Sequence, residues 1–271
     1  MAKKSSKKKN NDTTTDKTSI NFEVLSIFSK IDNSAIVFPD SKSLVHYSKA
    51  GDVILRYNNG PIFSTEFVAQ DLSQFIEAFK IFDDAYTFEF VDNAIRFKSQ
   101  SSKKTFKYTL GGKDVFEDLM NDLDQPIEHI DKYVESLDND EPMFSFEIDE
   151  KLIKELHNIS SKMQLRDLCV SYKKGKKKDK LTLKLLNIDV PGGNESEIEI
   201  PLIDNTYENS FDFYINITNI IPDMVWKCYA IDGYEDLYLK SNDGKYDMCI
   251  SHLDLLTDDF DEFNDDLYDI D

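Results

Sequence analysis

Residues 144–163 change their period halfway along. Phe144, Phe146 and Ile148 alternate with polar residues, the two-residue repeat of a half-buried strand. From Asp149 onward the apolar positions are Leu152, Ile153, Leu156, Ile159 and Met163, the stripe of a helix with one buried face. Asp149 is placed to cap that helix, and Glu150 suits its first turn. The same strand-into-helix join recurs three times. In residues 64–82 the helix stripe is Leu72, Phe75, Ile76 and Phe79. In residues 210–224, Phe211, Phe213 and Ile215 alternate before a short helix that Pro222 ends. In residues 18–32 the strand is cut short, and Leu25, Phe28 and Ile31 make the stripe. Helices are therefore expected to start near residues 22, 71, 149 and 216.

Between these helices lie alternating runs such as VILRYNNG, YTFEFVDNAIRFKS and DLYLKSNDGKYDMCISHL, with Asn93 and SNDG as hairpin turns. The pattern predicts an α+β chain of two similar domains. Each holds two strand–helix–strands units, because a helix with one apolar face and a sheet needing cover bury each other. The expected organisation is a disordered basic arm (1–17), a first domain (18–110), an acidic interdomain linker (111–142), a second domain (143–253) and an acidic tail (254–271).

Charge refines this. The 271 residues carry a net charge of −20, but it is unevenly spread. Residues 111–142 hold eleven acids and two lysines, residues 254–271 hold nine acids and no base, and residues 1–17 hold six lysines and two aspartates. The acidity sits mostly in linker and tail, which leaves room for local basic surface on the body. The helix faces turned away from the apolar stripes lean positive: Lys30 in the first, Lys80 in the second, Lys151, Lys154 and Lys162 in the third, with Glu23, Glu77 and Glu155 interrupting them. An ordinary solvated face is the plainer reading, and a face that meets a partner the sharper. A lysine-rich hairpin tip at Lys173, Lys174, Lys176, Lys177 and Lys178 is either a solubilising turn or a contact for an anionic partner. No window approaches the roughly 20 apolar residues that span a bilayer. The first residues are basic without an apolar core, unlike a secretory signal. Three scattered cysteines, Cys169, Cys228 and Cys249, read as reduced core thiols.

The order of elements, the doubled unit and the mid-chain linker resemble the DNA polymerase sliding clamps, most closely those of T-even-type bacteriophages. The likeness is carried by VLSIFSKIDNSAIVFPDSKSLVHYSKAGDVILRY, FVAQDLSQFIEAFKIF, FSFEIDEKLIKELHNISSKMQLRDLCVSYKKGKKKDKLTLKLLN and NSFDFYINITNIIPDMVWKCYAI. The resemblance implies a DNA-clamp fold with helices inside and antiparallel sheets outside a ring. It also implies a homotrimer closed head to tail on duplex DNA without regard to sequence, opened by an ATP-dependent clamp loader and ridden by the replicative DNA polymerase. No cofactor is expected, and the place of work would be the cytoplasm of an infected bacterial cell. Partner peptides would dock beside the linker, where Val115, Phe116, Leu119, Met120 and Leu123 form an apolar stripe that suits a short helix. The alternative is a non-enzymatic adaptor with clamp-like domains that never closes on DNA.

Signatures of catalysis are weak. LGGKDVFEDL holds Gly-Gly-Lys without phosphate-loop spacing. His46, His129, His157 and His252 are isolated, and the acidic clusters fall in linker and tail, where nothing fixes metal geometry. The tail mixes Phe260, Phe263, Leu267, Tyr268 and Ile270 with its acids, which suits an acidic brush or a groove-binding peptide.

Overall fold

The structure is a computed structural model, and it describes residues 15–16, 22–39, 43–60, 62–63, 65–81, 86–116, 126–139, 143–176, 178–206, 208 and 210–253. The chain forms two compact units. Unit 1 runs to Asp140 and also takes in Tyr238–Cys249; unit 2 comprises Glu141–Leu237 and the chain from Ile250. This grouping differs from the expected split at a linker of 111–142: Pro126–Asp138 of that stretch is a helix within unit 1, and Tyr238–Cys249 group with unit 1.

Unit 1 begins with β1 (Thr15–Asp16), which pairs with β6 (Tyr86–Val91), so the arm expected to be disordered to residue 17 ends in a strand. Helix α1 (Phe22–Phe28) is followed by β2 (Ala35–Pro39), β3 (Leu44–Ser48), β4 (Val53–Tyr57) and β5 (Phe67–Ala69). Helix α2 (Leu72–Ala78) is followed by β6, β7 (Ala94–Ser99) and β8 (Thr105–Thr109). One sheet has the order β1-β6-β7-β8; in the other, β5-β2-β3-β4 run side by side. These strands pair antiparallel, and Asp92 at φ 53° makes the tight β6–β7 turn beside Asn93.

Helix α2 forms because Asp71 accepts from the Gln74 N–H (2.8 Å) and because its apolar residues share one side. That side joins both sheets. Phe75 stacks on Phe67 of β5 at 4.6 Å and meets Tyr108 of β8, while Phe79 meets Phe88 and Phe97 edge-on. Each such ring contributes about 2–3 kcal/mol by burial alone. Helix α1 packs on α2, Phe22 touching Phe79, and places Phe28 against His46 of β3.

Helix α3 (Pro126–Asp138) starts with proline at its first position, where no N–H is needed, and packs on β3 and β4. Cross-strand pairing puts Val45 with Arg56 on one face of that sheet and His46 with Leu55 on the other. Arg56 bonds to Asp131 of α3, while His46 meets α1. The sheet is thus covered on both faces, which is why β3 is buried along its whole length.

Unit 2 repeats the plan. Strand β9 (Met143–Ile148) leads into α4 (Glu150–Met163), capped by Asp149, which accepts from the Leu152 N–H at 2.7 Å. Then come β10 (Asp167–Lys173), β11 (Lys180–Leu186), β12 (Ser196–Ile200), β13 (Leu202–Asn205) and β14 (Phe211–Asn216). The order in one sheet is β12-β11-β10-β14; in the other, β9 lies between β13 and β15 (Trp226–Ile231). Phe144 of β9 stacks on Tyr172 of β10 at 5.5 Å and closes the core between the sheets. The helix expected near residue 216 is a single 3-10 turn, Ile217–Asn219, and it packs on α4 as α2 does on α1. Three residues before Pro222 cannot hold a second α-turn.

The last strands, β16 (Asp236–Ser241) and β17 (Tyr246–Ser251), turn at Ser241–Gly244 with Gly244 at φ 69°, and β17 lies beside β4. Gly111, from the Gly-Gly-Lys stretch, has a structural duty. Its N–H donates to Val68 O (3.0 Å), and a Cβ there would lie 2.9 Å from Val68 and 2.8 Å from Gln70.

Candidate nucleic-acid interface

Lys30 and Lys80 stand at equivalent places, two residues beyond the ends of α1 and α2, and both are exposed. A cation there favours the negative end of each helix. The two ends are fastened together through Asn33, whose carbonyl accepts from the Leu72 N–H (2.7 Å) and whose side chain accepts from Ser73 Oγ (2.9 Å). Lys80 Nζ lies 2.6 Å from Glu77, so Lys80 is compensated by its own helix.

In unit 2, Lys151 and Lys154 lie on the first turns of α4 and Lys162 on its last. Lys154 bonds to Glu150 and reaches Asp223 at 3.5 Å, and the Glu150 carboxylate foremost raises its pKa. Lys151 and Lys162 are exposed, with no carboxylate in ion-pair reach among the described residues. Gln164, at φ 55°, ends the helix in the left-handed region, and the Leu165 N–H returns to Ser160 O.

The hairpin tip between β10 and β11 is a built turn. Asp179 accepts from the Gly175 N–H (3.0 Å) and from Asn205, whose amide also donates to Tyr172 Oη (2.8 Å). The Gly175 N–H is the main cause that holds the Asp179 carboxyl below its usual range. Lys174 is drawn back toward Asp179 (3.7 Å), and its N–H donates to Ser210. Lys173, Lys176 and Lys178 point outward and are exposed; Lys177 lies outside the described residues.

The partner stripe is only partly on view. Val115 and Phe116 close a 3-10 helix, Lys113–Phe116, where Val115 is half-buried and Lys113 pairs with Glu66. Leu119, Met120 and Leu123 lie outside the described residues, as do the first 14 residues and the tail from Asp254. Lys30, Lys80 and the stripe belong to unit 1, and α4 and the hairpin belong to unit 2.

Sequence reasoning missed a charged cluster under α3. Asp247 of β17 accepts from Arg56 Nη2 (2.8 Å), Asn58 Nδ2 (3.0 Å) and Tyr238 Oη (2.9 Å), while Arg56 Nη1 reaches Asp131 at 2.6 Å. The Asp247 side chain is 4% exposed and that of Arg56 11%. Burial works against the Arg56 charge, but the bonds to Asp247 and Asp131 outweigh it and raise its pKa. Tyr133 of α3 stacks on Tyr238 and seals the cluster. One signal was available. The chain has only three arginines among 32 basic residues, and each pairs with carboxylates: Arg56 here, Arg96 with Glu89, Arg166 with Asp167 and Asp189.

The histidines are separate. His46 is fully buried, and that burial lowers its pKa to about 4. His157 bonds to Ile220 O, His129 touches Tyr133, and His252 packs on Phe213. Among the described residues no group of three His, Cys, Asp or Glu could hold a metal ion. No helix there is long and apolar enough to cross a membrane.

Neither a protein-family model nor a curated protein matches the sequence. Solved structures do. A DNA polymerase III subunit beta from Borrelia burgdorferi superposes with a TM-score of 0.56 at 15% identity, over 93% of this chain and 67% of its own. The DNA polymerase sliding clamp of Pseudomonas aeruginosa gives 0.56 at 10% identity, over 92% and 68%. That of Caulobacter crescentus gives 0.55 at 11%, again over 92% and 68%. The chain spans about two thirds of the length of each. At these identities the likeness speaks for architecture, and the architecture of this chain is the sliding-clamp fold.

Proposed function

We propose that this chain is the protomer of a DNA sliding clamp: a closed ring around duplex DNA that tethers a replicative polymerase for processive synthesis. The observation that carries the reading is the clamp fold itself, matched over more than nine tenths of the chain. The physics of the helices supports it. Duplex DNA carries about one charge per 1.7 Å of axis, so scattered lysines attract it without reading sequence. Sliding needs weak attraction, and lysines half-compensated by Glu77, Glu150 and Asp223 supply that rather than a grip. Lys30, Lys80, Lys151, Lys154 and Lys162 would face the DNA, and Lys173, Lys176 and Lys178 would reach phosphates at one mouth of the hole. The ring would be a homotrimer of the T-even phage type, loaded by an ATP-dependent loader in the cytoplasm of the infected cell. It needs no cofactor and does no chemistry of its own. Partner peptides would dock by the stripe that begins at Val115 and Phe116.

The test is retention. The ring should stay on circular DNA and run off linear DNA, and Lys151→Glu, Lys154→Glu and Lys162→Glu together should reduce loader-dependent retention at least about tenfold while leaving the fold intact. Retention unchanged by this triple reversal would refute the assignment of the inner face. The same self-compensation of Lys80 and Lys154 also favours a second reading, an adaptor that never encloses DNA. An equal loss from circular and linear DNA would select it.

A further inference from the structure

Each unit hands its chain on by the same pair of backbone bonds. In unit 1 the Leu110 N–H donates to Asn93 O (2.8 Å) and the Gly111 N–H to Val68 O of β5 (3.0 Å). In unit 2 the His252 N–H donates to Glu235 O (3.1 Å) and the Leu253 N–H to Tyr214 O of β14 (2.8 Å). The next step is on view in unit 1. Lys113, two residues beyond Gly111, pairs with Glu66, two residues before Val68, so the chain runs back along β5 toward its start.

Back along β14 from Tyr214 lie Asp212, which is exposed, and then Ser210. Ser210 anchors the lysine-rich hairpin: its Oγ accepts from the Lys174 N–H (2.8 Å), and Phe211 pairs with Tyr172 at the hairpin's base. Residues 173–180 hold six lysines and one aspartate. That aspartate, Asp179, is engaged inside the turn by Gly175 and Asn205, and Lys174 leans on it and on Glu208 (3.9 Å). Lys173, Lys176 and Lys178 are exposed, with no carboxylate in ion-pair reach among the described residues.

We propose that residues 254–271 take the unit 1 course in unit 2 and dock their acids on this hairpin of the same copy. Sequence and reach agree. Leu255, Leu256 and Thr257 are uncharged where the chain passes Asp212, and Asp258, Asp259, Asp261 and Glu262 come directly after. Ser210 is four residues back from Tyr214, roughly 13 Å of extended strand, so the four residues after Leu253 bring Asp258 to the base of the hairpin. Nine acids without a base then face the three unpaired lysines. The contact withholds these cations from DNA until phosphates displace the acids. For that effect the proposal rests on the clamp reading; for its geometry it rests on unit 2 alone.

Carbodiimide coupling of the full chain, which joins a lysine amine to a carboxylate with loss of water, tests the contact without DNA. Peptide mapping should find Lys173, Lys176 or Lys178 joined to Asp258, Asp259, Asp261 or Glu262, and within one copy when isotope-labelled and unlabelled protein are mixed. Binding of a short linear duplex tests the consequence, at about 0.1 M salt, where the Debye length is about 10 Å. Asp258→Asn, Asp259→Asn, Asp261→Asn and Glu262→Gln together should tighten it about threefold or more. On a Lys173→Gln, Lys176→Gln, Lys178→Gln background the same four changes should alter it less than about 1.5-fold. The three lysines are exposed, and circular dichroism checks that the fold survives their loss. Tightening that is absent or equal on both backgrounds, missing crosslinks, or crosslinks only between copies each overturn the docking. Retention on circular DNA judges the clamp reading separately: crosslinks without retention overturn that reading and leave the docking standing, and retention without crosslinks does the reverse.

Discussion

Asp247→Asn is the most telling single change in unit 1. It keeps the shape of the side chain and removes its charge. The amide oxygen can still accept from Arg56 and Asn58 at the Oδ2 position, and Tyr238 can turn its hydroxyl to accept from the new NH2. What is lost is the charge that faces Arg56 inside the protein. Arg56 then keeps only Asp131, whose side chain is 63% exposed. Removing one partner of a buried ion pair costs about 3–5 kcal/mol, because the other charge stays buried, and the residual bond to Asp131 places this case near about 3 kcal/mol. Asp131→Asn breaks the exposed arm of the same cluster and should cost about 0–1 kcal/mol. Urea unfolding separates the two. With slopes of about 1–3 kcal/mol per molar, Asp247→Asn should lower the midpoint by about 1 M or more at unchanged slope, and Asp131→Asn should scarcely move it. A loss below about 1 kcal/mol for Asp247→Asn, or equal losses for the two, would refute the view that α3 covers a buried charge pair.

Two further outcomes follow from single residues. His46 has a folded pKa near 4 against 6.5 unfolded, so the unfolded chain binds more protons between those values; stability should fall by about 3 kcal/mol as pH drops from 6.5 to 4, and His46→Gln should flatten that slope in urea titrations. Gln164→Gly should stabilise unit 2 by about 0.5–1 kcal/mol, since Gln164 sits at φ 55° where glycine alone has no strain, and a lower melting temperature would contradict it.

Much of the local structure was legible because period and caps agree. Asp149 caps α4 as its sequence predicts, Asp71 caps α2 in the same way, and Phe75, Phe79, Ile153 and Leu156 are buried. The failures are equally physical. Ile217, Ile220 and Ile221 have helical spacing, but Pro222 leaves too little chain to nucleate more than one 3-10 turn. Helix α3 carries Ile127, Ile130, Tyr133, Val134 and Leu137 at helical spacing, and the acids between them masked it as linker. Which sheet a strand joins is not written in its own alternation, so nothing in residues 238–249 announces that they group with unit 1. The candidate lysines could be found by their faces, but their partners Glu77, Glu150 and Asp223 emerge only from geometry.

The late-arriving part of unit 1 has a consequence for how the protein is made. Arg56 and Asp247 are 191 residues apart in the chain. At about 5–20 residues per second, a ribosome that has made Arg56 takes roughly 10–40 s more to supply its counter-charge. Until then β4 has no β17 beside it, and the Arg56 guanidinium has no buried acid to meet. Unit 2 has most of its residues in one continuous stretch and can settle during synthesis, whereas the unit that starts first must finish last.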